Sequence, residues 1–260
     1  MQDKLDVDLI EARTDTKVVI YNSTASTNDI AWRYATCDKY DGLAVIAEFQ
    51  TQGRGRRGSK WQSEKSQSIL CSILMLNCPC DTEIATLAVP VAIAETLKKF
   101  EVPNPRIKWP NDILVNAKKI AGVLIESRNA SAGRHFVIGI GINCHQNEQF
   151  FSNIDLAMPA TSVDMETGRF VDRNRLAAEL INSVKGRISS ACTDTDMISS
   201  KWKQLSAQLG HRVCVKHKGE SFSGNCIGID PVEGLILQLD SGAVRMFHAA
   251  HTTIIKQQQY

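Results

Sequence analysis

Between Arg106 and Asn143 four short strand-like runs follow one another with links of only a few residues. They are Arg106-Ile107-Lys108-Trp109, Ile113-Leu114-Val115, Ile120 to Ser127 and His135 to Asn143. A parallel crossover needs a dozen or more residues, so strands this close together pair antiparallel. Asn116-Ala117-Lys118-Lys119 reads as the turn into the third run, and Gly139 and Gly141 lie close together in the fourth. Upstream, Lys17–Tyr21, Leu43–Ala47 and Ser68–Met75 read as further strands by apolar density. Ser26-Thr27-Asn28-Asp29 has the pattern of a helix start, with an acid three positions after a hydroxyl. Asp81 to Phe100 reads as a helix with Ile84, Leu87, Ala88, Val91, Ala94 and Leu97 on one face. Pro90 inside it is expected to bend or split it. Two more helices are expected: Arg173–Ser190 after the cap Asp172, and Met197–Leu209 ended by Gly210. The first dozen residues show no pattern and read as a lead-in.

The texture changes at His211. Short alternating runs, Arg212–Val215, Cys226–Ile229, Leu235–Leu239 and Val244–Phe247, are separated by Gly219-Glu220, Pro231 to Gly234 and Asp240-Ser241-Gly242. Turn signals at that spacing mark a small all-β barrel. The expected class is therefore α+β: a mixed, largely antiparallel sheet with packed helices over 1–208, and a β domain over 209–260.

Composition narrows the function by exclusion. With 30 Lys and Arg against 28 Asp and Glu, the net charge is +2, so any cationic role is local and not a field over the whole surface. No apolar run approaches the roughly 18 residues of a membrane helix, and the acidic N-terminus has no signal-peptide core. Eight scattered cysteines, of which only Cys78-Pro79-Cys80 is a close pair, fit reduced thiols in the cytoplasm. GxxxxGK[ST], HExxH and GxSxG are all absent from the sequence.

Two stretches carry the chemistry. Gly53-Arg54-Gly55-Arg56-Arg57-Gly58-Ser59-Lys60-Trp61 joins flexible backbone donors to fixed positive charge, a combination suited to wrapping a carboxylate or phosphate. An exposed basic turn or an RNA contact would use the same residues. Lys108-Trp109-Pro110-Asn111-Asp112 adds a cation and a carboxylate; it reads either as a strand end closed by a turn or as a place where Asp112 holds Mg²⁺ against phosphates. Lys119 is either a surface turn lysine or a cation aimed at the same anions. Gly122 beside it would let a nucleotide approach the backbone. Ser26-Thr27-Asn28 is explained by a helix cap, and equally by recognition of a neutral polar ligand such as a ureido ring.

Taken in order, these segments resemble the biotin–protein ligases over about residues 18 to 256. The matching segments are Ser26-Thr27-Asn28, Gly53–Gly58, Lys60-Trp61, Lys108–Asp112, Lys119-Ile120-Ala121-Gly122 and Gly139-Ile140-Gly141-Ile142-Asn143. The resemblance implies a catalytic domain followed by an SH3-like domain. It also implies activation of biotin by ATP with Mg²⁺, then transfer to a lysine of a biotin carboxyl carrier protein. It places Ser26, Thr27, Asn28, Gln50, Gly53, Arg54, Gly55, Arg56 and Lys119 around biotin. Arg56, Arg57, Trp61, Asn111, Asp112, Gly122 and Asn143 fall around the adenylate, with Trp61 over the closed loop. Lys119 is expected to be catalytic, with Arg54 second, and Asp112 is a candidate Mg²⁺ ligand. The glycine content of the loop predicts mobility until biotin orders it. Some relatives carry an N-terminal DNA reader; only about 17 residues precede the first strand here, so no DNA control and no membrane partner is expected, while a homodimer stays open. The rivals are a lipoate–protein ligase, disfavoured by the polar Ser26–Asn28 and Gln50 set, and a non-enzymatic RNA-binding module.

Overall fold

The computed structural model describes residues 3–130 and 133–257. The ends of the two expected domains at Met1, Gln2 and 258–260, with the tip of the polar loop at 131–132, lie outside them.

A seven-stranded sheet runs in the order β1-β2-β3-β7-β6-β5-β4. Its strands are β1 (Val18–Tyr21), β2 (Ala44–Ala47), β3 (Ser68–Cys78), β4 (Arg106–Lys108), β5 (Asp112–Val115), β6 (Lys118–Ala130) and β7 (Gly133–Asn143). All neighbours pair antiparallel except β1 and β2, which are parallel. The exception obeys the linker-length rule: the link between them is long enough to hold a helix, α2 (Thr27–Tyr34). Successive side chains face opposite sides, so Ala44, Ile46 and Ile73 join one apolar cluster while Val45 and Leu74 join the other. The first cluster lies under α3 (Thr82–Lys99), α6 (Arg173–Ala191) and α7 (Thr195–Leu205), and the second lies under α2.

Four expectations are corrected. Of the bend or split expected at Pro90, the split does not occur: helix α3 runs through it as one element, its apolar residues are buried nearly all round, and that packing outweighs one missing backbone donor. Helix α7 ends at Leu205, four residues early, and Gly210 (φ +81°) serves the turn beyond it. Ser206 turns out of the helix to extended backbone and makes a bridge with Ile107, while Ala207 donates to the Ile107 carbonyl. The lead-in is a docked element, α1 (Val7–Glu11), capped by Asp6. Leu5 N–H donates to Glu48 (2.9 Å), and the fully buried Arg173 donates to Asp3 (2.7 Å) and Glu48 (2.8 Å). Finally, two short helices, α4 (Glu148–Ser152) and α5 (Val163–Thr167), occupy the stretch left blank before α6.

The C-terminal sheet is antiparallel in the order β11-β10-β9-β8-β12. The strands are β8 (Arg212–His217), β9 (Glu220–Asp230), β10 (Gly234–Leu239), β11 (Val244–Phe247) and β12 (Thr252–Gln257), the last of which was not foreseen. Its inward residues Val213, Cys226, Leu235 and Phe247 belong to the same apolar cluster as α3 and the large sheet.

Candidate active site

The α2 side of the large sheet carries the site. Period-2 alternation sends Ile138, Ile140 and Ile142 of β7 into the helix-covered core, leaving Gly139, Gly141 and Asn143 on the other face. Register places Gly122 opposite Gly141 and Leu124 opposite Gly139, so three glycines open the floor beside Leu124 and Leu70. Over it opens a cavity of about 710 Å³. Every site residue expected from sequence lines it except Gly53. Gly53 instead closes the turn: its carbonyl accepts from Trp61 N–H at 2.9 Å.

One end of the cavity is a polar cup. Ser26 is the N-cap of α2 by backbone geometry, yet its side chain makes no cap hydrogen bond, so the capping explanation fails here. Thr27 donates through its N–H (2.7 Å) and hydroxyl (3.0 Å) to the Gln50 Oε1. Buried Ser72 donates to Asn28 Oδ1 at 2.6 Å. Asn28 lies so close to Gly139 that a Cβ there would come within 2.3 Å of Oδ1. Asn28 Nδ2 is buried and has no hydrogen-bond partner within the protein.

In the middle, the Trp61 ring lies against the glycines of the floor. A Cβ at Gly141 would meet its ring at 2.5 Å, and one at Gly122 at 3.1 Å. Its Nε1 is a second buried donor without a partner. Lys119 Nζ stands 5.6 Å from the Trp61 ring centre and 2.6 Å from Asp112 Oδ1. Burial holds the Lys108 ammonium below its usual pKa range, and nearby Lys119 adds to this while Asp112 opposes it. Burial likewise lowers Arg56, with Arg57 repelling it. Lys108, Lys119 and Arg56 thus gather around one carboxylate, Asp112. An arriving oxyanion would relieve that crowding of like charge.

The loop is a compact turn. Gly55 N–H donates to Ser59 O (2.7 Å), and Ser59 donates back to Arg56 O through its N–H (3.1 Å) and hydroxyl (2.8 Å). Arg57 sits in left-handed backbone (φ 55°), a conformation costing about 1 kcal/mol or more for a side-chain-bearing residue. Its guanidinium offsets this by donating to the Thr253 hydroxyl and to the carbonyls of Ala250 (3.0 Å) and Thr252 (2.9 Å). Arg56 donates to Ala249 O at 2.7 Å. The loop is thereby tied to the C-terminal sheet, whose Thr252–Ile254 complete the cavity wall.

Other expected residues turn out to hold walls. Asn111 Nδ2 donates to Val123 O (2.7 Å), and Asn143 Nδ2 to Thr161 O (3.0 Å). Arg54 points to Asp29 and Glu126. No group of three His, Cys, Asp or Glu able to hold a metal exists among the described residues, and Asp112 is engaged by Lys119. Mg²⁺ brought in with substrate phosphates needs only one or two protein carboxylates, and Asp112 and Asp155 line the cavity. Sequence reasoning missed Ser72, Thr252–Ile254 and the carboxylates on Arg54. Period-2 reading of β3 and β7 would have put Ser72 on the glycine face; the others had no local signal.

The seven-stranded sheet with its cavity and the five-stranded sheet beside it have counterparts among known proteins. The profile of the biotin/lipoate A/B protein ligase family matches residues 20–143. The chain is 30% identical to the biotin–[acetyl-CoA-carboxylase] ligase of Mycobacterium tuberculosis over 208 residues, covering 75% of this chain and 73% of that protein. It is 30% identical to the ligase of the same name from Paracoccus denitrificans, covering 76% and 85%. Against the bifunctional ligase/repressor BirA of Bacillus subtilis the identity is 28%, covering 89% and 72%. The structure of the Aquifex aeolicus biotin protein ligase in complex with biotin and ATP shares the fold, with a TM-score of 0.78 at 23% identity over 93% of this chain and 99% of that one. This chain belongs to the biotin–protein ligase family.

Proposed function

We propose that the chain activates biotin with ATP and then biotinylates a lysine of a biotin carboxyl carrier protein. In the first step a biotin carboxylate oxygen bonds to the α-phosphorus while the bond to the bridging oxygen of pyrophosphate breaks, giving biotinyl-5′-AMP. In the second, the carrier amine bonds to the acyl carbon, the bond to AMP breaks, and the amine gives up a proton. No enzyme nucleophile is needed; positioning and fixed charge are the protein's contribution.

The observation that carries this reading is the unpaired Asn28 Nδ2 in a cup otherwise made of Ser26, Thr27 and Gln50. A ureido ring brings a carbonyl acceptor and two N–H donors to such a cup. The dithiolane of lipoate brings neither and would leave a buried donor unpaired, at a cost of about 1–3 kcal/mol. Lys119, Lys108 and Arg56 in the same cavity supply the charge that lets a carboxylate meet a triphosphate. Lys119 is the catalytic group in this reading, and the backbone at Gly55 together with Arg56 holds the biotin carboxylate. Arg57, Trp61, Asp112 and Gly122 lie on the adenylate side, with Asn111 and Asn143 fixing the strands beneath them. ATP–pyrophosphate exchange without carrier tests the proposal, with biotin and lipoate in parallel. Exchange with biotin alone is expected; exchange with lipoate alone would reassign the substrate.

A further inference from the structure

Arg54 was expected to face the substrates, but its guanidinium is already engaged. It makes a two-pronged contact with Asp29 of α2, both bonds 2.7 Å, and a third bond of 3.3 Å to Glu126 of β6. The other Glu126 oxygen accepts from Trp32 Nε1 at 2.7 Å, and Arg128 stacks on the Trp32 ring at 4.0 Å. Neither Asp29 nor Glu126 lines the cavity. Two carboxylates on one guanidinium leave it little to offer a third, and a paired fork of this kind is among the stronger polar contacts a side chain makes. The bond from Arg54 keeps the Asp29 carboxyl below its usual pKa range, so the pair is intact at neutral pH. On the opposite shoulder of the turn, Arg57 is tied to Ala250, Thr252 and Thr253.

We infer that Asp29 and Glu126 are positioning residues that draw Arg54 against α2 and β6, so that the Gly53–Gly58 turn is pinned at both shoulders and presents its backbone N–H groups and Arg56 to the substrate anions. Arg54 is then a strut and not a catalytic residue. This rests on the reading of the cavity as the biotin and ATP site.

The test is a double-mutant cycle on Arg54→Gln and Asp29→Asn in the exchange assay, with trypsin cleavage inside 54–60 followed alongside. Each single variant should raise the biotin KM about tenfold and leave kcat within about twofold, and the double variant should be no worse than either single one. Asp29→Glu should recover part of the loss. Both side chains are about two-fifths exposed, so the fold should survive their replacement. Three results would overturn the inference: a kcat loss in Arg54→Gln that Asp29→Asn does not share, effects that multiply in the double variant, or an unchanged KM throughout. If the wild-type protein catalyses no exchange at all, the proposed function fails, but trypsin still decides this point. Faster loop cleavage in Asp29→Asn supports the strut, and an unchanged rate overturns it.

Discussion

At the scale of single residues, the site is a balance of a few charges and two unpaired donors. Lys119 is the cation nearest both the floor and Asp112. Lys119→Gln keeps the length and polarity but removes the charge, and exchange should fall about 10²- to 10³-fold in kcat with the fold intact, as measured by steady-state exchange and circular dichroism. The glycine floor makes the opposite prediction, a change of shape without charge. Gly141→Ala would put a Cβ 2.5 Å from the Trp61 ring, below any ordinary contact, so the indole must move. Biotin affinity measured by calorimetry should drop, while the thermal midpoint changes little because the ring lies at a cavity and not in the core.

At the scale of elements, the N-terminal segment is the instructive case. His145 touches Asp164 (2.8 Å) and Asp3 (3.3 Å), and Phe170 stacks on its ring at 4.1 Å. Burial works against the charged imidazolium, but the bonds to Asp3 and Asp164 outweigh it, and the pKa lies above the ordinary 6.5. Protonation therefore favours the folded arrangement. Its contribution is full below about pH 6.5 and disappears as pH rises through the raised value. The thermal midpoint of wild type should exceed that of His145→Gln at mildly acidic pH, and the gap should close as pH rises through the raised imidazole pKa. A gap that widened with pH would refute the assignment. The same segment shows why no helix is legible there in the sequence: its five residues have no strong period of their own and are held by Glu48, Arg173 and Asn174, which are far away in sequence.

At the scale of the molecule, the two sheets share one apolar cluster running from α3 through Trp202 to Val213, Leu235 and Phe247. The boundary expected near 208 is on this account a change of architecture more than of cooperativity. Gln208, fully buried at that boundary, accepts from Trp109 N–H at 2.8 Å, and Arg56 reaches across it to the Ala249 carbonyl at 2.7 Å. Calorimetry should therefore show a single unfolding transition whose calorimetric and van't Hoff enthalpies agree, and two resolved peaks would refute it. Among the described residues no helix is long and apolar enough to cross a membrane.

The sequence by itself determined what local rules govern. Short links between Arg106 and Asn143 required antiparallel pairing, turn spacing after His211 marked a second β unit, and the glycine–arginine and Lys108–Asp112 segments singled out residues that line one cavity. Only the tertiary structure decided which charges are free to act. Whether Arg54 meets a substrate or a carboxylate of its own chain depends on Asp29 and Glu126, and Glu126 lies on a strand 72 residues further along. That Thr252–Ile254 close a cavity begun at Ser26 is likewise a fact of packing. The physical reason is the range of the forces: backbone pairing and turn preference act between near neighbours in sequence. The net charge and desolvation of a side chain are set by whatever the fold brings within a few ångströms.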